Sequence, residues 1–264
     1  MFFLAPFQLC YRHRFLLAYT TMMELRSMYA GSILGLMWIF VGPLFFLVLY
    51  SLVYTVIFRI QPKGMEIFDY VFYVFCGLLS FLSFSSSLTQ GASSISRNKH
   101  VLLNTVFPVE LLPIRTTVIA HVPLGTGFFL LGIAGGCLGM FSWMWFFIPV
   151  VILLQIIALS GVSMMFSLIT LVLKDMEQLL PYIAMIFMVI TPIAYTPDMV
   201  PLSLKIICYL NPLFYFTQSL QYLFVFHQWP PTYVILGLIF MSFFSFSVSF
   251  WIFQRVKSTF YDMA

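Results

Sequence analysis

Few residues in this chain could do chemistry, and their spacing excludes most kinds of it. The four histidines, His13, His100, His121 and His227, are scattered, and none belongs to a His-Glu-x-x-His or other cluster with metal-ligand spacing. No glycine is followed by a lysine, so the chain carries no phosphate-cradling loop for ATP. Cys10, Cys76, Cys137 and Cys208 show neither close pairing nor CxxC spacing and read as apolar, space-filling thiols. The densest charges, Lys174, Asp175 and Glu177, lack the histidine or metal partner that an enzyme acting on lipid-linked sugars would need. All eight carboxylates fall in loops or at the ends of apolar runs. An ion-driven carrier needs a carboxylate or a broken helix at mid-membrane, so the energy for any work done here must come from a partner. His121, close to Pro123 and near one end of an apolar run, reads as a satisfied, neutral structural histidine.

The elements that position these residues follow from composition. Of 264 residues, 62% are hydrophobic and 8% charged, against about 25% charged in a soluble domain. Such a chain cannot cover a water-facing surface, which makes it an all-α polytopic membrane protein with one transmembrane domain over residues 1–264. The net charge of +4 matters by location rather than total, and no nucleic-acid partner is expected.

Residues 1–30 place Arg12, Arg14, Glu24 and Arg26 among Leu9, Phe15, Leu16, Tyr19 and Met23 at helical spacings, which predicts an N-terminal interfacial helix. The 32 residues between Arg26 and Arg59 hold no charge, more than the ~20 needed to cross a bilayer. Six transmembrane helices are expected over 32–58, 70–93, 116–137, 143–173, 179–196 and 232–253. The uncharged stretch from Thr116 to Leu173 is long enough for two of them and is divided at the turn residues Gly135, Gly136, Gly139 and Ser142. Asn211-Pro212 breaks the apolar segment 198–230, and the remaining 213–227 is too short to cross. It is read as re-entrant extracytoplasmic gate helices between spans 5 and 6, dipping into the outer leaflet. With six spans, nine cationic residues share a side with both termini and three lie opposite, so both termini are expected in the cytoplasm.

Arg26-x-x-Tyr29-x-x-Ser32-x-x-Gly35-x-x-Trp38-x-x-x-x-Pro43 resembles the start of the first span in the membrane subunits of ABC-type polysaccharide exporters, those moving O-antigen, capsule or teichoic acid chains. The segment from Lys99 through Pro108 to Pro113 is similar to their first cytoplasmic coupling loop, and Leu173-Lys174-Asp175-Met176 to their second. Thr191-Pro192-Ile-Ala-Tyr195 and Leu210-Asn211-Pro212-Leu-Phe resemble their signatures before and within the gate helices. Five weak motifs in the family's order span nearly the whole chain.

The resemblance implies a homodimer enclosing a pore in the bacterial inner membrane, with two copies of a separate cytoplasmic ATPase docked on its loops. No cofactor is expected in this chain, since ATP and magnesium would be bound by that partner. The transported molecule would be a lipid-linked polysaccharide, with membrane lipids as surroundings. ATPase coupling falls to Arg97, Asn98, Lys99, Pro108, Glu110, Lys174 and Asp175. The cytoplasmic mouth falls to Arg26, Tyr29, Ser32 and Trp38, where Gly31, Ser32 and Gly35 would offer small surfaces for close helix approach and Pro43 a bend. Asn211 and Pro212 would mark the gate. Tyrosine and phenylalanine rings stack on apolar sugar faces and offer hydroxyls, which nominates Tyr50, Tyr54, Tyr73, Phe84, Tyr195 and Tyr215 as channel aromatics. A membrane-interface aromatic belt accounts for many of the same rings. The alternative within transport is an ABC-type permease for a drug or small lipid, which shares the six-span plan.

Overall fold

Inside hydrocarbon a backbone must satisfy its own N–H and C=O groups, and a helix does this within one segment. The computed structural model describes residues 5–53, 65–98 and 107–263, and its long apolar runs are helical. Among these residues five helical stretches are long and apolar enough to cross a membrane: Gly35–Leu52, Ile67–Ala92, Leu111–Cys137, Trp143–Val172 and Thr232–Lys257. A further apolar helix, Met176–Ile190, has 15 residues, about 22 Å of rise against ~30 Å of hydrocarbon.

The chain begins with α1 (Ala5–Arg12) and α2 (Arg14–Met28), two helices broken at His13 where the sequence suggests one. Phe7 of α1 packs on Phe243 and Phe246, whereas Phe15, Tyr19 and Met23 of α2 point away from the protein. The first crossing helix, α3 (Trp38–Leu52), stands at the edge, with 11% of its apolar window buried. The second, α4 (Ile67–Ala92), is the hub at 78%. A short α5 (Ser94–Arg97) follows. The third crossing is made by α6 (Leu111–Ala120) and α7 (Val122–Cys137), which meet at His121. It starts five residues before Thr116 because Arg115, read from sequence as a loop charge, is neutralised by Glu24 and sits within the helix.

After α7, Gly139 at φ +76° turns the chain and the Ser142 hydroxyl accepts the Met144 N–H at 3.3 Å. A 3-10 turn, Trp143–Phe147, leads into α8 (Ile148–Val172). Then come α9 (Met176–Ile190), α10 (Leu202–Leu210), α11 (Pro212–Phe224) and α12 (Thr232–Met263). α12 runs past Phe253, where Arg255 and Lys257 suggest a stop. Arg255 lies 3.7 Å from the centre of the Trp251 ring, and a charge ends the apolar span without ending the helix.

Lipid tails are as apolar as leucine, so helices associate in a membrane through close packing and hydrogen bonds rather than through hydrophobic burial. The core shows both. On the α4–α8 contact Gln155 Nε2 donates to the Ser80 carbonyl (3.1 Å), Ser163 Oγ to that of Ser87 (2.9 Å) and Thr170 Oγ1 to that of Ala92 (2.6 Å). Between α8 and α12, Ser242 and Ser245 donate to the carbonyls of Leu154 and Ala158 at 2.9 and 3.0 Å. Gly161 lies against the α12 backbone there: a Cβ added to it would stand 2.5 Å from the Ser245 carbonyl carbon.

Candidate functional site

One end of the bundle brings together charged residues from several segments of the chain. Glu24 of α2 pairs with Arg115 of α6, the Ser96 hydroxyl donates to Glu177 Oε1 at 2.8 Å, and Lys257 Nζ of α12 donates to Glu110 Oε1 at 2.7 Å. These contacts join the N-terminal helices, the 94–98 segment, the 107–110 segment, the 174–177 loop and the end of α12. Arg97, Lys174 and Asp175 are exposed on that end. Asn98 is half-buried, with its amide nitrogen donating to the Ser94 carbonyl at 2.7 Å, and Pro108 is also half-buried. Lys99 lies outside the described residues.

Glu110 does not offer the docking surface that its place in the motif suggests. It is 1% exposed, and its Oε1 accepts from both Lys257 and Gln254 (2.8 Å). A carboxylate is held inside a protein when a cation and further donors compensate its lost hydration, and the last turns of α12 supply them.

Of the residues expected at the cytoplasmic mouth, Arg26, Ser32 and Trp38 are exposed and Tyr29 is half-buried. Gly31 and Gly35 adopt φ of +79° and +52°, with nothing within 4 Å of a would-be Cβ. They make a left-handed turn that favours glycine, not the helix-packing face expected of them. Ser32 Oγ accepts the Gly35 N–H at 2.9 Å and stabilises the turn that launches the first crossing, and Pro43 is buried inside α3.

The aromatic set divides. Tyr73 and Phe84 are 1% and 3% exposed, because α4 is enclosed on nearly every side. Tyr73 Oη donates to the Tyr195 carbonyl (3.2 Å), and Phe84 meets Phe187 edge-on at 5.3 Å. Both rings are core residues in this conformation, with no surface for a passing chain. Tyr195 Oη donates to the Ile190 carbonyl (2.8 Å) and Tyr215 Oη to that of Tyr209 (2.7 Å), each half-buried. Tyr50 is half-buried and stacks with Phe46, while Tyr54 lies outside the described residues.

Asn211 and Pro212 form a structural joint. Asn211 Oδ1 accepts the Leu213 N–H (2.9 Å) as the N-cap of α11, and its Nδ2 donates to Thr191 Oγ1 (2.6 Å), binding the start of α11 to the end of α9. Ten of the 13 residues of α11 are buried, including Thr217, Gln218, Ser219 and Gln221. Gln221 Nε2 donates to the carbonyls of Tyr73 and Pro192, both at 3.2 Å. The segment thus wedges between α4, α8 and α12, while α10 exposes Leu204, Ile206, Ile207 and Leu210. Asn211→Ala is expected to lower stability by about 1–2 kcal/mol through the lost cap and inter-helix bond. Thermal unfolding in detergent reads this, with Asn211→Asp, which keeps the capping oxygen, falling between the two.

Sequence reasoning that followed charges missed the buried amides Gln155, Gln218 and Gln221. Their signal was present: polar or small residues recur at three- and four-residue steps as Ser80, Ser83, Ser87 and Gly91 on α4, and as Ser160, Ser163, Ser167 and Thr170 on α8. His121 is satisfied at one nitrogen only. Nδ1 meets the Thr117 carbonyl at 2.8 Å, and Nε2 has no partner among the described residues.

A polar-laced helical bundle, without an ATP loop in its sequence and with ion pairs tying its segments together at one end, defines the membrane-embedded part of a multi-pass protein. The chain belongs to the ABC-2 type transporter family, whose pattern it matches over residues 16–225. It is similar to proteins named "O-antigen export system permease protein RfbA". The relative from Myxococcus xanthus is 28% identical over 236 residues, covering 86% of this chain and 87% of its own. One from Klebsiella pneumoniae is 28% identical over 204 residues, 75% of each chain.

Proposed function

We propose that this protein is the pore-forming subunit of an ATP-driven exporter that moves a lipid-linked polysaccharide, of O-antigen or capsule type, across the bacterial inner membrane. The observation that carries this reading is the match along nearly the full length of a permease named for O-antigen export. ATP hydrolysis belongs to a separate chain, two copies of which dock on the charged end of a homodimer. The six-span plan counts α9 as the fifth crossing, completed by the residues up to Thr196. It is supported by the contacts that hold α2 and the end of α12 at the same end of the bundle, since only an even number of crossings returns the chain to its starting side. That end faces the cytoplasm by the excess of cationic residues on it, with α1 and α2 lying in the interface. α10 and α11 form the extracytoplasmic gate segment, α10 exposed and α11 re-entrant and wedged in the bundle.

The test is co-expression with the neighbouring ATPase in the host strain deleted for this gene, with surface polysaccharide as the readout. Charge reversal at Arg97 together with Lys99 is expected to abolish ATPase co-purification and to cut surface polysaccharide at least tenfold. A reversed variant that binds and exports like the parent would remove the docking role. Surface polysaccharide that persists without the protein would reject the substrate and favour a small lipid or drug.

A further inference from the structure

A cavity of about 830 Å³ opens on the outer surface of the hairpin formed by α7 and α8. That is within the ~300–1,000 Å³ range of sites that hold small-molecule ligands. It extends along α7 from Gly125 to Ile133, about 12 Å of helix, most of the ~15 Å of hydrocarbon in one leaflet.

Glycine makes the groove. Gly125 and Gly132 stand two turns apart on one face of α7, neither has a positive φ, and nothing lies within 4 Å of a Cβ added to either. Gly127 and Gly135 are different: a Cβ at the first would strike Leu79, and one at the second would strike Trp145. Helix packing thus explains the second pair but not the first, whose missing side chains only deepen the groove. The back wall is rigid, with Trp145 stacked on Phe224 of α11 at 4.7 Å and 9°, its indole N–H donating to the Phe224 carbonyl at 3.1 Å.

The lining names the occupant. Among the described residues that form it, none carries a charge or a hydroxyl, so nothing would hold a sugar or a phosphate. The contacts between α4 and α8, α8 and α12, and α3 and α7 each include a side-chain hydrogen bond to backbone. The groove offers no such group to another protein's helix beyond the indole N–H that is already used. A flexible hydrocarbon chain needs none. We infer that this groove holds an acyl chain of a bilayer phospholipid, ordered along α7 and α8 and pressed against the Trp145–Phe224 stack. Through Phe224 the bound chain buttresses α11, whatever molecule the protein transports.

The test uses the full-length protein with Trp38, Trp143, Trp229 and Trp251 replaced by Phe, leaving Trp145 as the sole tryptophan, in vesicles of dibromostearoyl phosphatidylcholine. Bromine on the acyl chain is expected to quench Trp145 strongly, and Gly132→Leu, whose Cβ enters open space in the groove, to reduce that quenching at least twofold. Gly125→Leu serves in the same way where the first variant does not fold. Equal quenching with and without the leucine overturns the inference. So does efficient disulfide crosslinking between two copies of an Ile133→Cys variant, which would place a second copy of the chain in the groove.

Discussion

Lys257→Met is expected to destabilise the folded protein by about 3–5 kcal/mol, the usual cost of removing one partner from a buried ion pair. Glu110 is almost fully enclosed, its side chain 1% exposed, while that of Lys257 is 30% exposed and reaches it from outside. Without the ammonium group the carboxylate keeps only the Gln254 amide as a donor on Oε1, and Oε2 has no partner among the described residues. Unfolding in detergent, followed by helix signal or by trapping of the open state, measures the loss. The double variant Glu110→Leu/Lys257→Met is expected to recover most of it, because an apolar pair of similar volume replaces a buried ion pair at little cost. If the single and double variants were equally unstable, the loss would come from packing at the end of α12 and not from the stranded charge.

Gly161→Leu is expected to cost about 3 kcal/mol or more, the upper part of the range for overpacking. The atoms in its way are backbone: the carbonyl carbon and oxygen of Ser245 and the nitrogen of Phe246, 2.5, 2.6 and 2.7 Å from a Cβ. A side chain could rotate aside, but here α12 must move bodily, which also breaks the Ser242 and Ser245 bonds to α8. Gly132→Ala provides the contrast, because open space and the better helix propensity of alanine predict a neutral to ~1 kcal/mol stabilising effect. Melting temperatures of the two variants in one detergent decide the matter, and a Gly161 variant as stable as the parent would refute the close approach of α8 and α12.

How much of this was legible in advance varies with the physics behind each residue. The turn between α7 and α8 was readable, since Gly139 and Ser142 act locally through a positive φ and a hydroxyl. The role of Glu110 was not, because its partner lies 147 residues along the chain. Gly31 and Gly35 mislead at the level of spacing: four-residue separation suggests helix packing, and only backbone angles reveal a turn. Tyr73 and Phe84 carry rings suited to lining a channel for sugars, yet α4 occupies the centre of the bundle and both are enclosed. α11 has the length of an interfacial segment, but its glutamines and hydroxyls find partners on α4 and place it inside.

By itself the sequence determined that this chain resides in a membrane, that its apolar runs become helices, where its charges interrupt them, and which family it joins. These follow from composition, from local spacing and from a backbone that must satisfy itself in hydrocarbon. Apart from the stripes of small and polar residues on α4 and α8, which face of each helix meets lipid and which meets protein was decided only by the tertiary structure. In water those faces differ in polarity and the pattern reveals them, whereas in a bilayer the lipid and the protein core are both apolar, so one composition serves either side.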